Sequence, residues 1–210
     1  MQDKLKAKEW PGFKDRLHYQ SQFNDFSQAK GKVLDVGCRD MPFKYATTIV
    51  DSNPQLAGTF LQDKEIVHGD IQNLPFPAKS YDYIFCSHVL ELVDDPLKAC
   101  QELMRVGKQG YIEVPAMMKD SLFAWAEQEN QKWHTVSIAN TISFYEYSPR
   151  QLKGIQSKAW FNAIYDEYEN PLQDAFYNNQ DLFNVMFNWQ ESFNVFVYHL
   201  NGKVESFLND

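Results

Sequence analysis

The chain has few of the features that mark a secreted, membrane-bound or nucleic-acid-gripping protein. Of its 210 residues only three are cysteine, Cys38, Cys86 and Cys100. An odd count with no metal-ligand spacing fits neither a disulfide framework nor a zinc site. Cys86 falls in an apolar run and Cys100 on the apolar side of a predicted helix, so buried free thiols in a reducing compartment are expected. No stretch approaches the roughly 20 apolar residues that span a bilayer, and residues near Met1 have no apolar core of the kind a secretion signal needs. A soluble, cytoplasmic protein with no membrane partner is the expectation. Basic residues are outnumbered, 20 Lys and Arg against 28 Asp and Glu, for a formal net charge of -8. That balance argues against nucleic acid as a partner, because gripping a phosphate backbone needs clustered cations. Lys4, Lys6 and Lys8 are interleaved with Asp3 and Glu9 and read as a solvated helix end.

What remains is an ordinary globular composition, 44% hydrophobic and 23% charged, in a chain of a length that suits one domain over residues 1–210. No internal repeat or low-complexity linker divides it. Phe13, Leu17, Phe23 and Phe26 recur at helical spacing before Gly31, so residues 1–31 read as an N-terminal helical segment. Five short apolar runs follow: Lys32–Val36, Thr47–Val50, Glu65–His68, Tyr81–Cys86 and Tyr111–Val114. Each ends in a Gly, Asp, Ser or Pro cluster where the chain must turn. Asp95-Pro96 provides an N-cap and a first-turn proline for a helix with Leu97, Cys100, Leu103 and Met104 on one face, stopping at Gly107. Apolar strands alternating with helices predict an α/β fold, a doubly wound, mostly parallel Rossmann-like sheet covered on both faces. Residues 117–150 read as an insertion with helical parts, and Ser148-Pro149 as the start of another helix. Phe161–Tyr168 and Phe193–Tyr198 are the last strand candidates, expected as an antiparallel pair at the sheet edge.

In such a sheet the ligand sits beyond the carboxyl ends of the strands, and the polar residues of this chain stand there. Asp35-Val36-Gly37 brings the first strand to a glycine, whose backbone can approach a ligand closely. Asp51 ends the second strand, where a carboxylate can accept from both hydroxyls of a ribose. Asp70 ends the third, where with the amide of Ile71 it suits the edge of an adenine. Asp51 and Asp70 taken singly are also ordinary turn-capping carboxylates.

In their order these residues resemble the type 11 family of class I S-adenosylmethionine-dependent methyltransferases. Val33-Leu34-Asp35-Val36-Gly37-Cys38 is similar to the family's first motif, Val50-Asp51-Ser52-Asn53-Pro54 to the second and His68-Gly69-Asp70-Ile71 through Leu74-Pro75-Phe76 to the third. The fullest match runs from Ser80-Tyr81-Asp82 through Ser87-His88-Val89-Leu90-Glu91 and Asp94-Asp95-Pro96 to Glu102-Leu103-Met104-Arg105-Val106. The resemblance covers about residues 32–115. It implies S-adenosylmethionine as cofactor, with Gly37 and its loop at the methionine part, Asp35 shaping that loop, Asp51 and Ser52 at the ribose, Asp70 and Ile71 at the adenine, and Ser87 with His88 at the amino and sulfonium side. It also implies a small-molecule or glycan-type acceptor. The sequence departs from the family where Arg39 and Met41 occupy glycine positions before Pro42, and where the first crossover is cut to about one turn.

Methyl transfer from a sulfonium is a direct displacement, so alignment and exclusion of water come first and a general base is optional. Glu113, which interrupts an apolar strand, and His134, beside Trp133, are the candidate catalytic residues, and the 117–150 insertion is the candidate wall of the acceptor pocket. Trp125, Trp133, Trp160 and Trp189 cluster in the second half, readable as an aromatic lid, as core packing, which is favoured, or as a homodimer face. A non-catalytic binding or regulatory protein on the same fold is the competing reading, supported by the altered loop. A nicotinamide-dependent oxidoreductase is disfavoured, because Gly37 to Pro42 lacks the glycine spacing that admits a pyrophosphate.

Overall fold

The computed structural model describes residues 16–38, 42–53, 64–123, 131–149, 151, 162–164 and 170–209. Five short apolar runs pair into a parallel sheet: β1 (Val33–Val36), β2 (Thr48–Asp51), β3 (Glu65–His68), β4 (Tyr83–Ser87) and β5 (Gln109–Pro115). The sixth strand, β8 (Asn184–Gln190), lies antiparallel beside β5, giving the order β3-β2-β1-β4-β5-β8. Every residue of β1, β2 and β4 is buried, as expected of strands covered on both faces. β3, at the edge, is mostly exposed.

Alternation along the strands sorts their side chains onto two cores. Leu34, Val36, Val50, Ile84, Cys86, Ile112 and Val114 share one face with Ala99, Cys100, Leu103 and Met104 of helix α2 (Pro96–Val106). On the opposite face Val33, Ile49, Tyr83, Phe85 and Tyr111 pack with Phe26, Phe43 and Ala46. There Phe43 stacks on Phe85 at 4.0 Å and Phe26 meets Tyr111 edge-on at 5.2 Å. Helix α1 (Arg16–Phe23) leads into this layer, and Gly31 follows it at φ +74°. α2 begins as its sequence dictates: the Asp95 side chain accepts from the Lys98 amide at 2.9 Å, with proline in the first turn, and the Gly107 amide closes on Leu103.

After β5 come α3 (Met117–Phe123) and then an antiparallel hairpin, β6 (Trp133–Ile138) and β7 (Thr141–Glu146). Helices α4 (Pro171–Asn178) and α5 (Gln180–Phe183) precede β8, and β9 (Asn194–Tyr198) and β10 (Val204–Phe207) follow it. β6, β7, β9 and β10 make a second sheet in the order β10-β9-β7-β6. Its inner face, Trp133, Ile142, Phe144, Val195 and Val197, joins the α2 core, and β9 and β10 lie against α2.

The mostly parallel sheet with an antiparallel edge is therefore as expected, but its edge strand is Asn184–Gln190. Residues 162–164 are helical, so the strand expected over Phe161–Tyr168 is not formed there, while 165–169 lie outside the described residues. Phe193–Tyr198 does carry a strand, paired with β7 and β10 in the second sheet. The 117–150 segment contributes a hairpin as well as a helix. Residues 42–47 hold only a turn at Lys44-Tyr45, in keeping with a shortened first crossover. All three cysteines are free and buried, and burial pushes the Cys100 thiol up. No helix among the described residues is long and apolar enough to cross a membrane.

Candidate active site

The parallel pairing of β1, β2, β3 and β4 brings their carboxyl ends to one edge, and with them Gly37, Asp51, Ser52, Asp70, Ile71, Ser87 and His88. Gly37 turns the chain at φ +70°, and its amide donates to the Val50 carbonyl at 2.8 Å. A side chain is excluded there twice over, because a Cβ would sit 2.5 Å from Cγ2 of Val89 as well as in the left-handed region. Asp35, buried beneath this turn, accepts from the Phe43 amide at 2.6 Å. It thus ties the start of the loop to its return. Arg39 and Met41, the departures from the family pattern, lie outside the described residues.

At the end of β2 the buried Asp51 accepts from the Asn53 amide at 2.7 Å, and the Ser52 carbonyl lies 3.1 Å from His68 Nε2 on β3. Asp70 is exposed and caps its own turn, accepting from the Gln72 amide at 2.8 Å, while Ile71 beside it is buried. Gln72 in turn accepts from the Asp95 amide, linking this turn to the start of α2. The Glu102-Leu103-Met104-Arg105 stretch fastens the next loop: Arg105 donates to the Leu74 and Phe76 carbonyls at 2.9 and 2.7 Å, and Glu102 accepts from the Leu74 amide. The Arg105 guanidinium holds the Glu102 carboxyl below the usual range.

The end of β4 carries the densest polar cluster. His88 has φ +59°, uncommon for a side chain with a Cβ, and its amide donates to the Glu113 carbonyl at 2.7 Å. Its ring spans two buried carboxylates, with Nε2 3.1 Å from Glu113 and Nδ1 3.4 Å from Glu91. Glu113 is wholly buried and accepts from the Tyr111 hydroxyl, from Gln20 of α1 at 3.0 Å and from Ser87 at 3.4 Å. The carboxylate that interrupts the fifth strand is thus satisfied by donors from three elements, and it fixes His88.

A further buried acid stands over the same edge. Asp120 of α3 accepts from the Tyr147 hydroxyl and faces the Gln131 amide nitrogen, at 3.0 and 3.2 Å in the orientation that satisfies both groups. Burial pushes the Asp120 carboxyl up to about 6 against the opposing pull of Tyr147 and Lys119; Glu91 adds to the rise and His88 opposes it. Burial likewise raises the Tyr147 hydroxyl. The start of β6 ties these groups together, since the Lys132 and Trp133 amides both donate to the Glu91 carbonyl.

His134 stands elsewhere on the hairpin. Its ring stacks on Tyr145 at 5.5 Å, burial lowers its pKa, and it lines a groove of about 690 Å³ with Met117, Met118 and Met186. Met186 pairs in register with Glu113, so groove and cluster flank the same end of β5. Trp133 is a core residue whose indole donates to the Val93 carbonyl. Gln20, Glu91, Asp120 and Tyr147 were not singled out by the sequence. Glu91 had entered only as the last residue of the Ser87-His88-Val89-Leu90-Glu91 stretch of the family resemblance.

The doubly wound sheet with this glycine turn and these carboxylates at its strand ends is a Rossmann-like fold, similar to that of solved methyltransferases. Residues 34–112 match the family model Methyltransf_11, described as a methyltransferase domain. A demethylmenaquinone methyltransferase of Staphylococcus epidermidis is 33% identical over 111 residues, an alignment covering 45% of each chain. The match thus spans less than half the length of that curated relative. Across most of the chain the fold is similar to one in the Haloferax volcanii complex between the Trm112 methyltransferase activator and a methyltransferase. The TM-score is 0.51 at 15% identity, over 89% of this chain and 92% of that one.

Proposed function

We propose that this protein transfers the methyl group of S-adenosylmethionine to a small-molecule acceptor. The observation that carries the reading is the convergence of Gly37, Asp51, Asp70 and Ser87-His88, in family order, on one edge of the sheet. These residues suit the cofactor. The side-chain-free Gly37 turn and Asp35 beneath it would receive the methionine part, Asp51 and Ser52 the ribose, Asp70 and the Ile71 amide the adenine, and Ser87 with His88 the amino and sulfonium side. The bound cofactor supplies an electrophilic methyl carbon. The chain's own task is to hold the acceptor in line and keep water out.

Glu113 acts in this reading by fixing His88 rather than by touching the acceptor, since its oxygens already serve Tyr111, Gln20, Ser87 and His88. The groove past Met117 and Met118, with His134 on its wall, is the way in for the acceptor. Its methionine lining favours an apolar body over a sugar, in line with the quinone-type acceptor in the name of the S. epidermidis relative. A crystal structure with S-adenosylhomocysteine tests the reading. Ligand between Gly37, Asp51 and Asp70 supports it, and ligand elsewhere or none at saturating concentration overturns it.

A further inference from the structure

The groove of about 690 Å³ beside β5 is lined by Met117 and Met118 of α3, Met186 of β8 and Phe23 at the end of α1. Thioether sulfurs pack favourably against aromatic rings, so this lining suits a flat aromatic body. Its polar side chains differ in what they have left to offer. Asn24 donates to the Gln20 carbonyl and lies against Tyr111 and Met186, and Asn184 is held between Lys119 and Gln180. The rings of His68, His88 and His199 each have a polar partner. The half-buried His134 ring has none among the described residues, at either nitrogen. Packing holds it instead: it stacks on Tyr145 at 5.5 Å and lies tilted against Tyr147 at 6.1 Å. Burial lowers its pKa, which keeps the ring neutral at pH 7 with one bare nitrogen. A partly desolvated acceptor with no donor costs free energy that a ligand can recover.

We infer that His134 selects the acceptor, by accepting a hydrogen bond from a phenolic hydroxyl on an aromatic ring seated in this groove. The inference rests on the methyltransferase reading above and narrows its acceptor from an apolar body to a hydroxylated arene. A phenolic O–H is more acidic than that of an alcohol and so donates more strongly to a bare imidazole nitrogen. An ether has no proton to give, and a carboxylate would meet the charge of Asp181, which lines the same groove. Ring and hydroxyl are thus recognised by different elements, the ring by the methionines of α3 and β8 and the hydroxyl by β6. Met117 follows β5 directly and Met186 stands opposite Glu113, so a ring held here lies beside the strand end that carries the His88 cluster. A hydroxyl fixed by His134 then sets which edge of the ring faces the methyl-transfer edge of the sheet.

The test is titration of 2-naphthol, its methyl ether and naphthalene, followed by calorimetry and by the imidazole nitrogen resonances of His134. It is run on the wild-type protein, His134→Leu and His134→Gln, with and without S-adenosylhomocysteine. The expected result is that naphthol binds the wild type roughly ten-fold more tightly than the ether or naphthalene. Naphthol alone should shift the His134 resonances. His134→Leu should bring naphthol down to the affinity of the ether while naphthalene still binds, and His134→Gln, whose side-chain oxygen still accepts, should restore part of the preference. Equal affinity for naphthol and its ether, unmoved His134 resonances, a preference that survives His134→Leu, or no binding of naphthol overturns the inference. The wild-type comparison and the resonances decide it even where a variant does not fold. Failure of S-adenosylhomocysteine to saturate the wild-type protein is a separate outcome, and it is the methyltransferase reading that then fails.

Discussion

The Nε2 atom of His88 lies 3.1 Å from Oε1 of Glu113, which has no exposed surface. The contact holds a residue at positive φ against the strand that follows it, so the end of β4 is set by a side chain of β5. Glu113 is surrounded by donors, and an amide in its place must turn an N–H toward one of them. We expect Glu113→Gln to destabilise the fold by about 1–3 kcal/mol and to weaken cofactor binding as well, because Ser87 and His88 lose their anchor. Denaturant unfolding and cofactor titration on the same variant check this. Full stability with unchanged affinity would contradict it.

Gly37 meets two separate restraints, a backbone at φ +70° and a Cβ position 2.5 Å from Val89 Cγ2. Gly37→Ala should cost about 1–2 kcal/mol from the left-handed backbone alone, with the clash in addition. Adding Val89→Ala should recover the clash component and leave the backbone component. A double-mutant cycle with no coupling between the two sites would show that the contact with Val89 does not constrain the turn.

Asp120 gives a pH signature. Burial lifts its pKa in the folded protein to about 6, above the ordinary aspartate value of about 4. The native state therefore holds the proton more tightly than the unfolded chain, and this group's contribution to stability falls as pH rises from about 4 through about 6. The full penalty above that range is on the order of 3 kcal/mol. Asp120→Asn removes the titration, so the variant should gain on the wild type across this interval and hold its advantage at pH 7–8. Unfolding curves at pH 4.5 and 7.5 measure it. An equal effect of the substitution at both pH values would show that Asp120 titrates normally.

The sequence announced the parallel core because its strands are β-branched runs stopped by Gly, Asp or Pro, and burial on both faces demands that pattern. The four strand-end positions proposed for the cofactor were picked out for the same reason, since strand ends fix where their residues gather. The rest depended on alternation hidden among polar residues. In β8, Val185, Phe187 and Trp189 alternate with Met186 and Asn188, but the surrounding Asn and Gln obscured the period of two. β6 and β7 alternate likewise, joined by a two-residue turn in which Ala139, at φ +51°, supplies the positive φ that Gly or Asn usually signals. Asp120 was hidden for another reason. Its role comes from Tyr147 and Gln131, which only the hairpin brings beside it.

Asp51 is the residue on which the cofactor reading depends most, since it is buried at the end of β2 and set by the Asn53 amide. Calorimetric titration of S-adenosylhomocysteine into the wild-type protein and into Asp51→Ala is the most direct measurement. The account predicts saturable binding to the wild type at one site per chain, weakened by about 1–3 kcal/mol in the folded variant. No saturable heat with the folded wild-type protein, or equal affinity for both, would contradict it.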